Sequence, residues 1–220
     1  MSLSYSELSA SAKEKARNNF IEHWIHEDWQ EHVYEDMIER GKELGFLIDR
    51  IAYSGFWSQG DGASWEGVVV VSDFLATRGG NSIGYDCWRW LREQGVISDH
   101  INITNPHNHY CHSGVMRRGD MFDFDNTTDY GDDDDVITID CVIKGMPIRA
   151  VFDLIASDTE CDIKCADDLG DWALEEAKQY ADEIYKNLES AYDWECSEAN
   201  IEDVYNANDI KFDEEGVILL

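Results

Sequence analysis

The side chains with the richest coordination chemistry stand together in Pro106-His-Asn-His-Tyr-Cys-His112, which holds His107, His109, Cys111 and His112. Imidazole and thiolate are ligands for zinc and related metals. On a strand, residues 107, 109 and 111 share one face. A metal-dependent enzyme using His107, His109 and His112 is therefore one reading. The rest of the chain offers this cluster no partner at a recognisable spacing. Cys161-x3-Cys165 is the only close cysteine pair, and the histidine after His26-Glu27 is His32, not one helical turn on. A strand with exposed histidines is the simpler account. Other chemistries find even less. Neither Ser54 nor Ser64 sits in a Gly-x-Ser-x-Gly elbow, and the lysine-bearing phosphate loop and the dinucleotide fingerprint are absent. The sequence predicts no catalytic residue, no resident metal and no cofactor.

Carboxylates are the other abundant reactive group. The 220 residues carry 47 Asp and Glu against 17 Lys and Arg, a net charge of −30. From Gly119 to Ile143 there is no Lys or Arg, while Asp120, Asp123, Asp125, Asp129, Asp132, Asp133, Asp134 and Asp135 crowd into an acidic loop over 119–135. Asp123-x-Asp125 starts like a calcium loop, but Gly131 is misplaced and no Glu closes it. A solvated loop and a partner-binding loop are both open. A second acidic line runs through Glu175, Asp182, Glu189 and Asp193, which helical spacing puts on one side and only Lys178 and Lys186 interrupt. Carboxylates three or four residues apart on a helix are about 5–6 Å apart, close to the spacing of successive phosphates. Charge of this size repels nucleic acid and anionic membranes and attracts basic surfaces. The implied partner is a basic protein that binds nucleic acid, met by mimicry of its ligand, with no direct nucleic-acid or membrane contact. Self-association as a homodimer is left open.

A third feature is Tyr53-Ser-Gly-Phe-Trp-Ser-Gln-Gly-Asp-Gly-Ala63. Its glycines permit tight turns. It reads as a structural hairpin with flanking aromatics, or as a recognition loop using Trp57, Gln59 and Asp61.

The elements that must carry these residues follow from periodicity. Helices are expected at Ser4–Trp24, capped by Ser6 or Ser9, and at His26–Leu44, ended by Gly45. Strands are expected at Ile48–Ser54 and Ala63–Ser72. Arg78–Gly84 reads as a Gly-rich loop, and Tyr85–Gln94 as a short helix with Trp88 and Leu91 inward. Further strands are expected at His100–Thr104 and His109–Met116, then a hairpin of Val136–Ile143 with Ile148–Phe152. Leu169–Trp194 has an unbroken apolar stripe of Ala173, Ala177, Ala181, Ile184, Leu188 and Ala191. A last helix over Glu198–Asn206 and an edge strand at Ile210–Phe212 complete the chain. Helices, then strands, then helices predict an α+β fold: a mostly antiparallel sheet, an N-terminal helical hairpin and a long C-terminal helix packed on the sheet, in one domain over 1–220. With 43% hydrophobic residues and 26 aromatic ones (8 Trp, 10 Tyr, 8 Phe) a sizeable core is affordable. The N-terminus lacks a signal peptide's apolar core and no run is long enough to span a bilayer, so the six cysteines are expected reduced in a cytoplasmic protein.

Three stretches together resemble a family of small proteins encoded by bacteriophages and prophages. They are Tyr5-Ser-Glu-Leu-Ser-x2-Ala-Lys-Glu-Lys-Ala-Arg17 leading to Trp24 and Trp29, the segment Tyr53 to Ala63, and Ile184-Tyr-Lys-Asn-Leu-Glu-Ser-Ala-Tyr192 with the ending Phe212-Asp-Glu-Glu-Gly216. Tyr110-Cys-His-Ser-Gly114 also resembles that family's Tyr-x-His pattern. Some members are labelled antitoxins. The resemblance implies a phage accessory protein in the bacterial cytoplasm, and many such proteins counter host defence. Taken with the charge, the expectation is a non-enzymatic inhibitor of a restriction, CRISPR or other nuclease effector. An antitoxin-like protein that neutralises a basic toxin is the alternative.

Overall fold

The structure, a computed structural model, describes residues 2–25, 28–78, 88–89, 92–93, 98–106, 110–119, 124–125, 142–143, 146–147 and 163–219. Its elements give an α+β fold with an antiparallel four-stranded sheet and a long C-terminal helix. The chain divides into two compact units: Met1–Asp36 with Ile184–Leu220, and Met37–Glu183.

The first unit opens with a 3-10 turn at Tyr5–Glu7 and helix α1 at Ala10–His23. Ser9 caps α1 by accepting from the Ala12 amide at 3.3 Å. Ala12, Ala16 and Phe20, one turn apart, are buried. They share a core with Tyr5, Leu8, Ile201, Tyr205 and Phe212, so α1 closes on the C-terminal elements. The Tyr205 hydroxyl donates to the Ala16 carbonyl at 2.9 Å, and burial pushes its pKa up to about 12.

Helix α2 occupies Glu31–Glu43, starting later than the expected His26. Gly45 stops it with φ of 86°. A Cβ there would lie 2.4 Å from the Phe74 amide nitrogen, so no side chain is admitted. Strands β1 (Phe46–Ser54) and β2 (Gly62–Val70) then form an antiparallel hairpin from Phe46↔Val69 to Ser54↔Gly62, with an irregularity between Ile48 and Arg50.

The expected strand Ala63–Ser72 ends early, because Val71 begins a short helix α3 at Val71–Thr77. β-branched residues favour a strand locally, but Asp99 overrides them from a distance. Its carboxylate accepts from the Ser72 amide (3.0 Å) and hydroxyl (2.9 Å), and its carbonyl from the Val71 amide (2.8 Å). Those are the donors a new helix leaves unpaired. Among the described residues of the expected Tyr85–Gln94 helix, residues 88–89 and 92–93 are helical and Trp88 is buried. Residues 79–84 of the expected loop lie outside the described residues.

Strand β3 (His100–Thr104) pairs with β2, and β4 (Arg117–Arg118) with β3, completing the order β1-β2-β3-β4. The expected strand His109–Met116 is corrected. Tyr110 and Cys111 have no regular structure and Ser113–Val115 is a 3-10 turn. The chain folds back here because the Asn105 side chain donates to the Tyr110 carbonyl at 2.9 Å, and Arg117 to the Gly114 and Met116 carbonyls at 3.0 and 2.8 Å.

A second antiparallel sheet joins β5 (Phe124–Asp125), β6 (Val142–Ile143) and β7 (Met146–Pro147). The expected hairpin is present at 142–147, but Met146 and Pro147 are in a strand, not the turn. Residues 136–141 and 148–152 of that expectation lie outside the described residues.

Helix α4 spans Ile163–Glu195. Ala173, Ala177, Ala181, Ile184 and Leu188 are buried as the stripe predicts, while Ala191 is half-buried. In the second unit the small alanines let the sheet approach closely: the buried Trp65 indole donates to the Ala177 carbonyl at 3.0 Å. Phe46 centres that core, with ring centroids 5.4 Å from Trp65, 5.3 Å from Tyr180 and 6.1 Å from Phe74. Helix α5 (Glu198–Ala207), capped by Ser197, and the pair β8 (Lys211–Phe212) and β9 (Ile218–Leu219) complete the first unit.

Candidate functional site

The carboxylates predicted on the long helix are where the spacing put them. Glu175, Asp182, Glu189 and Asp193 are all exposed on α4. At 1.5 Å rise per residue, Glu175, Asp182 and Glu189 succeed one another at about 10.5 Å along the axis, wider than the roughly 5–6 Å of neighbours three or four apart, a spacing that in this row only Glu189 and Asp193 have. Asp182, Glu189 and Asp193 have no cation partner among the described residues, and Glu175 meets only Lys178 at 3.9 Å, a loose pair. The apolar stripe occupies the other side, so the fold holds these groups toward solvent without spending them on itself.

The acidic loop is a different matter. Asp120, Asp123, Asp129, Asp132, Asp133, Asp134 and Asp135 lie outside the described residues, and Asp125 is described only as part of β5. Of the histidine cluster, His107 and His109 lie outside the described residues, and His112 precedes the 3-10 turn. Among the described residues no group of three His, Cys, Asp or Glu could hold a metal ion.

The β1–β2 connection is built by its aspartate. One Asp61 carboxylate oxygen accepts from the Trp57 amide at 2.8 Å and the Ser58 amide at 2.6 Å, which closes the loop. Gly60, at φ of 95°, completes the turn. Asp61 therefore shapes the loop, while Trp57, 79% exposed, and Gln59 are displayed by it. Beside the loop, next to Gly60, Tyr110 is also exposed. Buried Asn105 braces this end, donating to the Ser64 hydroxyl and the Tyr110 carbonyl, both at 2.9 Å. Its amide donates to Glu66, whose other carboxylate oxygen pairs with Arg50 at 3.0 Å.

Sequence reasoning missed how unevenly the cations are used. In the second unit Arg78 is a structural hub. Its guanidinium pairs with Glu176 at 2.9 Å, lies 3.8 Å from the Phe74 ring centroid and donates to the Leu44 and Phe74 carbonyls. Arg40–Glu183 (2.8 Å), Arg92–Asp99 (3.1 Å) and Arg118–Asp171 (2.8 Å) are further pairs in that unit. Apart from Arg92 and Asp99, which are near neighbours in sequence, the members are far apart in the chain, so no local spacing announces these pairs.

Among the described residues no helix is long and apolar enough to cross a membrane. Residues 29–198 match the family described as a domain of unknown function (DUF8835). No curated protein and no solved structure matches the chain.

Proposed function

The chain belongs to that family of unknown function, and we propose that it is an acidic binding protein that blocks a basic, nucleic-acid-handling protein by imitating a phosphate backbone. One observation carries the reading: the exposed carboxylates of α4, Asp182, Glu189 and Asp193, stand on one continuous helix without cation partners among the described residues. Proteins that grip nucleic acid draw most of their nonspecific affinity from releasing counterions held by a row of phosphates. A row of fixed carboxylates recruits the same groove, and fixing the row in advance lowers the entropic cost of binding. The Asp-rich segment 120–135 adds charge of the same sign. The resemblance to phage-encoded proteins suggests the setting, a bacterial cytoplasm, and the target class, a restriction, CRISPR or other nuclease effector.

The test is capture from a bacterial lysate on immobilised protein, followed by identification and binding of the purified partner in rising salt. The reading expects a nucleic-acid-binding protein whose affinity falls steeply with salt and which releases duplex DNA when the chain is added. Replacing Asp132 to Asp135 with Asn should weaken capture. A partner that keeps its affinity across both changes and holds its DNA sinks the proposal.

A further inference from the structure

We infer that the cleft between Trp24 and Trp29 in the first unit binds an arginine side chain of a basic polypeptide. The inference rests on the reading of the partner as basic and names one place where that partner is gripped. The cleft is a shallow, open one of about 400 Å³, within the range of about 300–1,000 Å³ typical of ligand sites.

Its walls are aromatic and held from behind. Trp24 stacks on Phe20 (6.2 Å, 15°) and meets Tyr205 edge-on at 5.5 Å. Trp29 lies 5.3 Å from Tyr192. Both indoles are half-buried, so they line the cleft without collapsing into it. The rim is acidic. Asp28, Glu31 and Glu35 line the cleft with no cation partner among the described residues. Glu195 closes one side and accepts from the Asn200 amide group at 3.2 Å.

Besides its histidines, of which His32 lines the cleft, the first unit has five Lys and Arg residues, Lys13, Lys15, Arg17, Lys186 and Lys211. Four are engaged elsewhere: Lys13 with Glu198, Lys15 with Glu215, Lys211 with Asp209, and Arg17 with the Cys196 carbonyl. The charge of the cleft is therefore left for a visitor.

The chemistry selects among cations. A bare metal ion needs several oxygens converging on one point, and no such group of three exists among the described residues. An organic cation instead uses the ring faces. Guanidinium is planar, stacks on indole, and can fork to a carboxylate through two parallel hydrogen bonds. Lysine offers a more compact, more strongly hydrated charge. Anionic and neutral ligands forgo the rim altogether.

The test uses the full chain, indole N–H NMR signals and the pentapeptide acetyl-Gly-Ser-Arg-Ser-Gly-amide, with lysine and citrulline versions beside it. Trp24→Phe and Trp29→Phe assign the signals. The arginine peptide should shift the Trp24 and Trp29 signals. The citrulline peptide should not, and the lysine peptide should bind at least about threefold more weakly. Glu31→Gln with Glu35→Gln, both at exposed positions, should weaken arginine binding at least about fivefold with an unchanged circular dichroism spectrum. Asp182→Asn with Glu189→Gln should leave it within about twofold, because those groups are not in the cleft. Unmoved indole signals, equal binding of citrulline, or indifference to the Glu31/Glu35 change overturns the site.

A deca-lysine peptide separates this site from the wider reading. If deca-lysine binding weakens with the α4 variant while the arginine peptide leaves both indoles unmoved, the cleft fails and the acidic face stands. If the arginine peptide binds and deca-lysine ignores the α4 variant, the cleft stands and the face fails.

Discussion

The two units pair their acid differently. In the second, Arg40, Arg50, Arg78, Arg92 and Arg118 tie Glu183, Glu66, Glu176, Asp99 and Asp171 into the fold. In the first, three lysines pair with Glu198, Glu215 and Asp209 near the chain ends. Asp28, Glu31, Glu35, Glu189 and Asp193 are left without a cation among the described residues. Arginine makes geometrically fixed, multidentate pairs and lysine makes looser ones. A high overall charge thus does two jobs: in one unit it is partly tied up by arginine, though Glu175 and Asp182 still face solvent there, and in the other it is mostly outward-facing.

The sharpest way to break this contrast is Arg78→Ala. It removes the Glu176 pair and the contact with the Phe74 ring, and strands a half-buried carboxylate. We expect a loss of about 2–3 kcal/mol in urea unfolding. A loss below about 0.5 kcal/mol would show that the second unit's arginines are as incidental as ordinary surface pairs.

Next in size is an alkaline effect that both units should share, because it depends on burial and not on acid. The Tyr180 and Tyr205 hydroxyls donate to the Met37 and Ala16 carbonyls, and burial pushes both pKa values up to about 12 from 10.0. The folded chain keeps protons there that the unfolded chain gives up. Their contribution is full below pH 10 and is lost as pH rises toward 12. Tyr205→Phe should cost about 1 kcal/mol at pH 8 through the lost hydrogen bond and flatten the decline between pH 10 and 12. A decline of undiminished slope in both Tyr→Phe variants contradicts the assignment.

Smaller still is the response of α4. Asp182→Asn, Glu189→Gln and Asp193→Asn together should leave the unfolding midpoint unchanged or slightly higher at low salt, since they relieve repulsion. A clear destabilisation would mean that these carboxylates hold the fold together after all. The smallest effect belongs to the first unit's own pairs. Hydrogen bonding from Lys13 holds the Glu198 carboxyl below its usual range. Any stability this lends is present above pH 4.5 and fades as pH falls through the lowered value. Glu198→Gln should therefore flatten the acid limb of the stability profile without a measurable change at neutral pH.

Much of this was readable from spacing. The stripe from Ala173 to Leu188 and the carboxylates opposite it follow from one helical period, so α4 and its acidic side were legible together. Gly45 was legible as a helix stop because its role is local. What escaped depends on residues distant in the chain. Val71 and Ser72 read as strand until Asp99, 27 residues beyond Ser72, supplies the capping oxygens. His109–Met116 alternates like a strand, yet Asn105 and Arg117 fold it back. Nothing local in the sequence around Trp24 and Trp29 marks a cleft. Only the rings of Tyr205 and Tyr192, near the far end of the chain, turn them into walls of a cleft.

The central claim is that carboxylates with no internal partner exist to meet an external cation. The most direct measurement is the salt dependence of binding between the full chain and its purified basic partner, for the native sequence and for the Asp182/Glu189/Asp193 variant. The account predicts a steep fall of affinity with salt, and for the variant both weaker binding and a shallower slope. Identical slopes and affinities for the two proteins would contradict it.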